Sequence, residues 1–364
     1  MVRLKFIFNL MLVVGGLISG AQMGFGQKAA VLKGRVIEKD SGNPISFCTV
    51  ALVGSSIGSI TDQDGFFEIK KMPYETLNIV VSHIAYENLI LVYEPNELPD
   101  SLIIKLNHAV VELAPFQLEA KGDRKLSRLR SKGMESFLTM VLGDGYKKVD
   151  VHLTNDEIID TKDLTSGSAL YSSYYDLNFI NQFLGYSIDY YNFSFYMAKM
   201  GKSFYGFPVF TELESESVEV TKLWEANRTL AYSGSIRHFL MSLINDRLAE
   251  EGFLARFADN KKRSRANTIR VKTTDKAEAN INLIYNEEMK LFELRFDGVI
   301  EVFYVGPETK ELQTTLSSIK LTGNSALIYP NGELKDPLSI MTFGYFSSQG
   351  VYEMLPSNYL PAKK

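Results

Sequence analysis

The pattern of apolar and polar positions in the first third of the chain is that of short β-strands. Between residues 31 and 106, apolar or alternating runs recur every eight to twelve positions, a spacing typical of an all-β sandwich. Gly, Pro, Asn and Asp residues separate these runs and supply the backbone angles that tight turns need. The pattern predicts seven strands and no helix, with strands at residues 31–38, 46–53, 59–61, 66–69, 76–83, 88–93 and 101–106.

Further along the chain, the period changes twice. Apolar residues from Leu126 to Val141 recur at a spacing of three to four, which predicts a short helix interrupted by Gly133. A stronger apolar stripe predicts a helix over residues 235–251, capped by Ser233 or Ser235 and closed by Gly252. Residues 292–304 then alternate on both sides of an Asp-Gly pair at 297–298, which predicts a β-hairpin, and Asn-Gly at 331–332 predicts another turn.

Aromatic residues are concentrated between positions 171 and 210, where fifteen occur in forty positions. Two interpretations compete. The favoured one is the packed interior and edge strands of a β-rich domain, because aromatic side chains bury large areas. The other is the aromatic belt of lipid-facing strands in an outer-membrane barrel. The confinement of the enrichment to one stretch favours the first interpretation.

The N-terminus has the three-part plan of a secretory signal peptide. Arg3 and Lys5 precede an apolar run over residues 6–18, and small residues allow cleavage after Ala21 or after Gly26. We therefore expect residues 1–26 to be a signal peptide and the protein to be exported to the periplasm, outer membrane or surface of a Gram-negative bacterium. The single cysteine, Cys48, allows no internal disulfide.

Charge argues against a nucleic-acid partner. The chain has a formal net charge of −4, whereas phosphate backbones attract strongly basic surfaces. The one basic stretch, residues 261–272, lacks interleaved aromatic residues and is interpreted as a solvated loop. The expected partner is instead an envelope protein, a glycan or a peptide.

Several motifs resemble a known family. Gly34-Arg-Val, the turn at residues 42–45, Thr49-Val-Ala-Leu and above all the run Gly58-Ser-Ile-Thr-Asp-Gln-Asp-Gly-Phe-Phe-Glu-Ile69 are similar to the carboxypeptidase regulatory-like domain of exported Bacteroidetes proteins. The resemblance implies a non-catalytic, transthyretin-like (prealbumin-like) β-sandwich. Residues 232–243 and 350–361 resemble the C-terminal part of proteins carrying the same module, a family that brings no established activity with it.

These observations together predict a mainly β protein. A seven-stranded sandwich at residues 27–108 is followed by a linker at 109–133 and a larger, β-rich α+β domain at 134–364. The turn residues Asp62, Asp64 and Gly65 are interpreted as structural, because the spacing of a calcium loop is absent.

Candidate chemistry is sparse. None of the four histidines has a Glu at the third position after it, so no zinc peptidase motif is present, and neither a metal nor a cofactor is expected. The run Gly54-Ser-Ser-Ile-Gly58 has the letter pattern of a nucleophile elbow but no following helix. One polar cluster is a candidate binding site for an anion. It consists of Ser235, Arg237 and His238 at the start of a predicted helix.

The leading hypothesis is a non-enzymatic envelope protein with a binding or interaction role. Two alternatives remain at this point. One is an envelope hydrolase that uses the Ser235 to His238 region, and the other is an outer-membrane barrel or a receptor-associated component.

Overall fold

A computed structural model of the protein describes residues 30–73, 77–94, 97–99, 101–109, 124–159, 169–172, 176–198, 201–258, 281–306 and 315–362. The predicted signal peptide, the basic stretch at 261–272 and most of the predicted linker lie outside these residues. Within them, no helix combines the length and the apolar character needed to cross a lipid bilayer.

The first seven strands form the predicted sandwich. They are β1 (Ala30–Glu38), β2 (Thr49–Leu52), β3 (Gly58–Ile60), β4 (Phe66–Met72), β5 (Leu77–Ser82), β6 (Leu89–Tyr93) and β7 (Ser101–Leu106). One sheet has the order β4-β1-β7 and the other the order β3-β2-β5-β6. Among these seven described strands, β1 and β7 pair in parallel and the other pairs are antiparallel. All seven predicted strands are confirmed, with ends within three residues of the prediction.

The core of the sandwich is formed by alternate residues of its strands, which face inward. Along β7, Leu102, Ile104 and Leu106 are buried while the residues between them face outward. Each buried Leu or Ile contributes about 1.5–3 kcal/mol through removal from water. Cys48 belongs to this core, and burial raises the pKa of its thiol to about 12, as expected for a small apolar residue.

The middle part of the chain, residues 124–232, packs two helices against a five-stranded sheet. Its elements are α1 (Arg124–Leu142), β8 (Val151–Leu153), β9 (Ala169–Ser172), β10 (Leu177–Asn181), β11 (Tyr186–Ala198), β12 (Gly201–Glu212) and α2 (Val218–Tyr232). The sheet order is β12-β11-β10-β8, and β9 pairs with the second half of β11. Of the clustered aromatic residues, Phe179, Tyr190, Phe193 and Phe195 are buried in its core, as the favoured interpretation predicted, whereas Tyr205 is 47% exposed.

The first helix departs from the prediction. α1 is not interrupted at Gly133 but continues for 19 residues, across the predicted boundary at 133 and 134. One glycine destabilises a helix by only about 1 kcal/mol. Burial of Phe137, Val141 and Leu142 in the middle core offsets that loss.

The described residues between 236 and 362, the last part of the chain, form a second pair of sheets with two helices. Its elements are α3 (Ile236–Ile244), β13 (Phe253–Phe257), β14 (Asn282–Asn286), β15 (Leu291–Arg295), β16 (Ile300–Tyr304), β17 (Thr315–Leu321), β18 (Ala326–Ile328), β19 (Ile340–Gly344) and α4 (Tyr345–Ser348). The sheet orders are β13-β16-β17-β19 and β14-β15-β18. Phe239 and Leu240 of α3 lie in the core that both sheets share.

Two predictions in the last part are wrong. The turn at Asp297-Gly298 forms, with Gly298 at φ +86°, but β15 and β16 belong to different sheets and do not form a hairpin. Leu294 and Ile300 instead lie in the same core.

The predicted helix 235–251 ends at Ile244, followed by Asp246 at φ +54°. The turn predicted at Asn331-Gly332 forms, with Gly332 at φ +83°.

Candidate functional site

The structure brings Ser235, Arg237 and His238 together at the start of α3, where the sequence predicted them. Ser235 is the N-cap residue, and its hydroxyl accepts a hydrogen bond from the backbone N–H of His238 at 3.1 Å. This bond satisfies one of the free N–H groups at the start of the helix. The hydroxyl therefore has a structural partner.

Arg237 is buried and bonded to distant parts of the chain. Its guanidinium donates to the backbone carbonyls of Asn331 at 3.1 Å, Pro356 at 3.0 Å and Tyr359 at 2.9 Å, and also to that of Ser357. Its Nε lies 3.3 Å from Oε1 of Glu333. These contacts use four of the five N–H donors of the guanidinium and hold residues 356–359 against α3.

His238 is buried among aromatic rings. Its Nδ1 accepts a hydrogen bond from the backbone N–H of Gly234 at 3.1 Å, and its Nε2 lies 3.5 Å from a carboxylate oxygen of Glu251. Burial lowers the pKa of His238, and Glu251 partly offsets this effect. Among the described residues, both imidazole nitrogens thus face groups other than the hydroxyl of Ser235, so no Ser–His pair is assembled.

A cavity of about 270 Å³ lies beside these residues, between the middle and last parts of the chain. Its charged lining residues are Arg237, Glu333 and Glu353, and aromatic and aliphatic side chains form most of the remaining wall. The sequence offered no signal for Glu333 or Glu353. Glu353 lies in the run 350–361 that resembles a family without an established activity, which assigns it no role, and both residues reach the cavity through the tertiary fold.

The predicted structural turn of the sandwich has the geometry of a tight turn. Oδ1 of Asp62 accepts from the backbone N–H groups of Asp64 at 3.0 Å and Phe66 at 2.9 Å. Gly65 has φ +78°, and a Cβ there would lie 2.5 Å from the carbonyl oxygen of Val36. The backbone therefore requires glycine at this position. Within the described residues, no three His, Cys, Asp or Glu side chains gather closely enough to hold a metal ion.

The loop that resembled a nucleophile elbow joins the sandwich to the rest of the protein. The N–H of Gly54 donates to the carbonyl of Pro208 at 2.6 Å, and the N–H of Phe210 donates to the carbonyl of Ser55 at 3.0 Å. Asn358 donates through Nδ2 to Oγ of Ser56 at 2.9 Å. Strand β3, rather than a helix, follows this loop. Its serines thus take part in contacts between parts of the chain.

The two outer faces of the sandwich differ. On the β3-β2-β5-β6 sheet, Ala51 and Val80 are buried against Tyr191 and Val209 of the middle part. On the outer side of the β4-β1-β7 sheet lie Lys33, Arg35, Phe66, Lys70 and Ile103, and Ile60 of the neighbouring strand β3 lies beside them. Ile60, Phe66 and Ile103 are exposed. We call this surface, which also includes Asp62 and Glu68, the open face.

Comparison with known proteins identifies one domain. Residues 32–115 match the family described as "CarboxypepD_reg-like domain". The match confirms the resemblance of the first part of the chain to a carboxypeptidase regulatory-like domain, and the β-sandwich that this resemblance implied. No curated protein matches the chain.

Two solved structures show partial similarity. One is a type II cohesin–X-dockerin complex from Acetivibrio cellulolyticus, at 18% identity and a TM-score of 0.18, covering 21% of this chain and 51% of that one. The other is a 9R-lipoxygenase from Cyanothece PCC8801, at 11% identity and a TM-score of 0.19, covering 94% of this chain and 46% of that one. The chain spans about half the length of each structure. These similarities are too weak to inform the function.

Proposed function

We propose that this chain, which carries a carboxypeptidase regulatory-like domain at residues 32–115, is an exported, non-catalytic envelope protein that binds a partner protein through the open face of its sandwich. The N-terminal residues support export, because they have the plan of a signal peptide. The internal bonds of Ser235, Arg237 and His238 support a non-catalytic role. Each of these side chains has a structural partner.

The observation that carries the proposal is the contrast between the two outer faces of the sandwich. One face is covered by the middle part of the same chain. The open face presents Ile103 of β7 at 71% exposure and Phe66 of β4 at 53%, on the two sides of Arg35 in β1, with Ile60 of β3 at 63% on the same surface. Grouped apolar side chains of this kind mark interaction surfaces in soluble proteins.

The charges around these apolar residues indicate the chemistry of the partner. Lys33 and Lys70 both lie near Glu68, at 3.1 and 3.5 Å, so two cations share one carboxylate. Arg35 adds a further positive charge above the ring of Phe66, at 5.0 Å from its centroid. The open face thus carries three cations against two carboxylates, Asp62 and Glu68, a net charge of +1 on a chain of net negative charge. We expect it to bind a segment with acidic and apolar side chains.

The position of β7 favours an extended segment. β7 is the edge strand of the β4-β1-β7 sheet and carries Ile103 on its outward side. An edge strand offers backbone donors and acceptors to an added strand, while the neighbouring side chains provide specificity. The proposed partner is therefore an acidic, extended segment of another envelope protein.

Photo-crosslinking in cells tests the proposal. A protein with Ile103→p-benzoylphenylalanine should form one discrete adduct with a second protein. The adduct should be in the envelope fraction, and its chain should begin at Gln22 or Gln27 after signal cleavage. Charge reversal by Lys33→Glu with Lys70→Glu should reduce the yield of adduct at least tenfold, because it removes the charge complementarity.

The matched control places the crosslinker at Ile284, which is 46% exposed on β14. Equal adducts from both positions, or an adduct that charge reversal leaves unchanged, would contradict the open face as the binding surface. An adduct between two copies of this chain would contradict a different protein as partner. Intact chain beginning at Met1 in the cytosol would contradict export.

A further inference from the structure

A buried histidine holds the connection between α2 and α3. Residues 233–235, which we call the link, join Tyr232 at the end of α2 to Ile236 at the start of α3. Within the link, Gly234 has φ +76°, and its backbone N–H donates to Nδ1 of His238 at 3.1 Å. A protonated Nδ1 cannot accept a hydrogen bond, so this contact exists only while the nitrogen carries no proton.

Aromatic rings from three elements surround the imidazole of His238. The ring centroids of Tyr232 on α2, Phe253 on β13 and Tyr304 on β16 lie 4.9, 4.8 and 5.7 Å from that of His238. The histidine is only 8% exposed. A charged imidazole in such a site gives up most of its hydration, which disfavours the protonated form unless an anion compensates.

One carboxylate faces the other imidazole nitrogen. An oxygen of Glu251, just before β13, lies 3.5 Å from Nε2, while the second oxygen of the same carboxylate lies 3.2 Å from the guanidinium of Arg247. Tyr232 and Tyr304 also face the ring, and burial raises the pKa of both, so both are uncharged near neutral pH. Burial lowers the pKa of His238, and Glu251 offsets this effect only in part. The neutral imidazole is thus the favoured form in the folded protein.

The link borders the cavity between the middle and last parts. Ser235 and Arg237 contribute to the wall of this cavity. Arg237, the charged neighbour of His238 on α3, is bonded to backbone carbonyls and not to the imidazole. A Cβ at Gly234 would lie 2.5 Å from the ring of Tyr304, so the link packs directly on β16. Displacement of the link therefore changes the wall of the cavity.

We propose that protonation of His238 in a mildly acidic medium releases the link and opens the cavity, so that the connection between the middle and last parts is a pH-sensitive switch. Above the ordinary pKa of histidine, about 6.5, the imidazole is neutral in the closed and the opened form alike. As the pH falls below this value, the opened form takes up a proton first, because its imidazole is solvated. The closed form loses stability relative to it until the pH is below the lowered pKa of the closed form. The switch does not depend on the role proposed for the open face.

Hydrogen–deuterium exchange of the full mature chain, followed by mass spectrometry, tests the switch. The exchange is measured at about pH 7.5 and about pH 5.5, on the two sides of the ordinary pKa of histidine. After correction for the intrinsic effect of pH on exchange, the protection of peptides that contain the link should fall at least about threefold at the lower pH. The protection of strands β1 and β5 in the sandwich should not fall with it.

Three variants separate titration of His238 from a purely structural role. His238→Gln retains an acceptor oxygen but does not titrate, so the protection of the link should be the same at both pH values. Glu251→Gln removes the compensating anion and should enlarge the fall towards about tenfold, the limit at one pH unit below the ordinary pKa of histidine. The control His152→Gln alters an exposed histidine on β8 and should behave like the wild type.

Two results would overturn the proposal. They are a link in the wild type whose protection is the same at both pH values, and a fall in the His238→Gln variant as large as that in the wild type. If His238→Gln does not fold, the Glu251→Gln variant decides. A link that is no more acid-sensitive in Glu251→Gln than in the wild type would show that His238 does not drive the opening.

Discussion

Arg237 illustrates how one side chain connects distant parts of this chain. The sequence placed it in a candidate anion site because it lies near the start of a predicted helix. In the structure its guanidinium binds backbone carbonyls that lie 94 to 122 positions further along the chain. Local periodicity contains no information about such acceptors. The residue type and its helix were predictable, and its bonding partners were not.

Replacement of Arg237 should destabilise the whole last part of the protein. We expect Arg237→Met to lower the free energy of unfolding by about 3–5 kcal/mol, because it leaves several carbonyls and Glu333 without their partner. Urea unfolding followed by circular dichroism measures the change. Arg247→Met, which removes an exposed arginine, should cost less than about 0.5 kcal/mol. A loss below 1 kcal/mol for Arg237→Met would show that water replaces these bonds.

At the scale of single elements, the length of a helix depended on more than its apolar stripe. The stripe from Ile236 to Leu248 predicted a helix through residue 251, but α3 ends at Ile244. Leu248 still packs on the core from the segment that follows. Leu248 can be buried whether or not its backbone is helical, so its apolar side chain does not show where the helix ends.

Helix α2 shows the opposite case, because the sequence predicted no helix there. The amphipathic pattern of α2 is irregular. Leu223 and Leu230 are exposed on its outer side, whereas Trp224 and Arg228 are buried on its inner side. Arg228 donates from Nε to the carbonyl of Leu184 at 2.8 Å. Because the buried side of this helix contains a charged residue, the spacing of apolar residues does not reveal the helix.

The cap of α3 distinguishes a structural serine from a nucleophile. Ser235→Ala should lower the free energy of unfolding by about 1 kcal/mol through loss of the cap. Ser235→Asp retains a capping oxygen but no hydroxyl, so it should remain within about 0.5 kcal/mol of the wild type. Chemical denaturation measures both. If Asp destabilises the protein as much as Ala does, the hydroxyl does more than cap the helix.

At the scale of the whole molecule, the sandwich is fixed to the middle part through its β3-β2-β5-β6 sheet. Ala51 and Val80 point outward from that sheet, yet they are buried against Tyr191 and Val209. Nearby, Asn88 donates to Asp176 of the middle part at 2.7 Å. The middle part therefore explains the apolar side chains at these two outward positions, and the proposed partner protein would do the same for Ile103.

This interface should couple the unfolding of the two parts. Trp224, the single tryptophan, reports on the middle part, while circular dichroism reports on all strands. We expect both signals to change in one thermal transition in the wild type. Val80→Asp places a carboxylate in the interface and should separate the two transitions, with a loss of about 3 kcal/mol or more.

Val92→Asp is the matched control, because Val92 lies on the same sheet but is 62% exposed. It should leave the single transition intact. Coincident transitions in Val80→Asp, with a shift no larger than that of Val92→Asp, would show that the interface does not couple the two parts.

The sequence by itself determined the elements of the sandwich, the turn at Gly65, the interior role of the clustered aromatic residues and the start of α3. Each of these features depends on interactions between residues close in the chain, or on the regular spacing of apolar residues along an element that has one buried side. Only the tertiary structure decided that β15 and β16 enter different sheets, that the sandwich packs on the middle part, and that Arg237 and Glu353 meet at one cavity. Those outcomes depend on contacts between segments far apart in the chain, and such contacts leave no trace in the local spacing of apolar and polar residues.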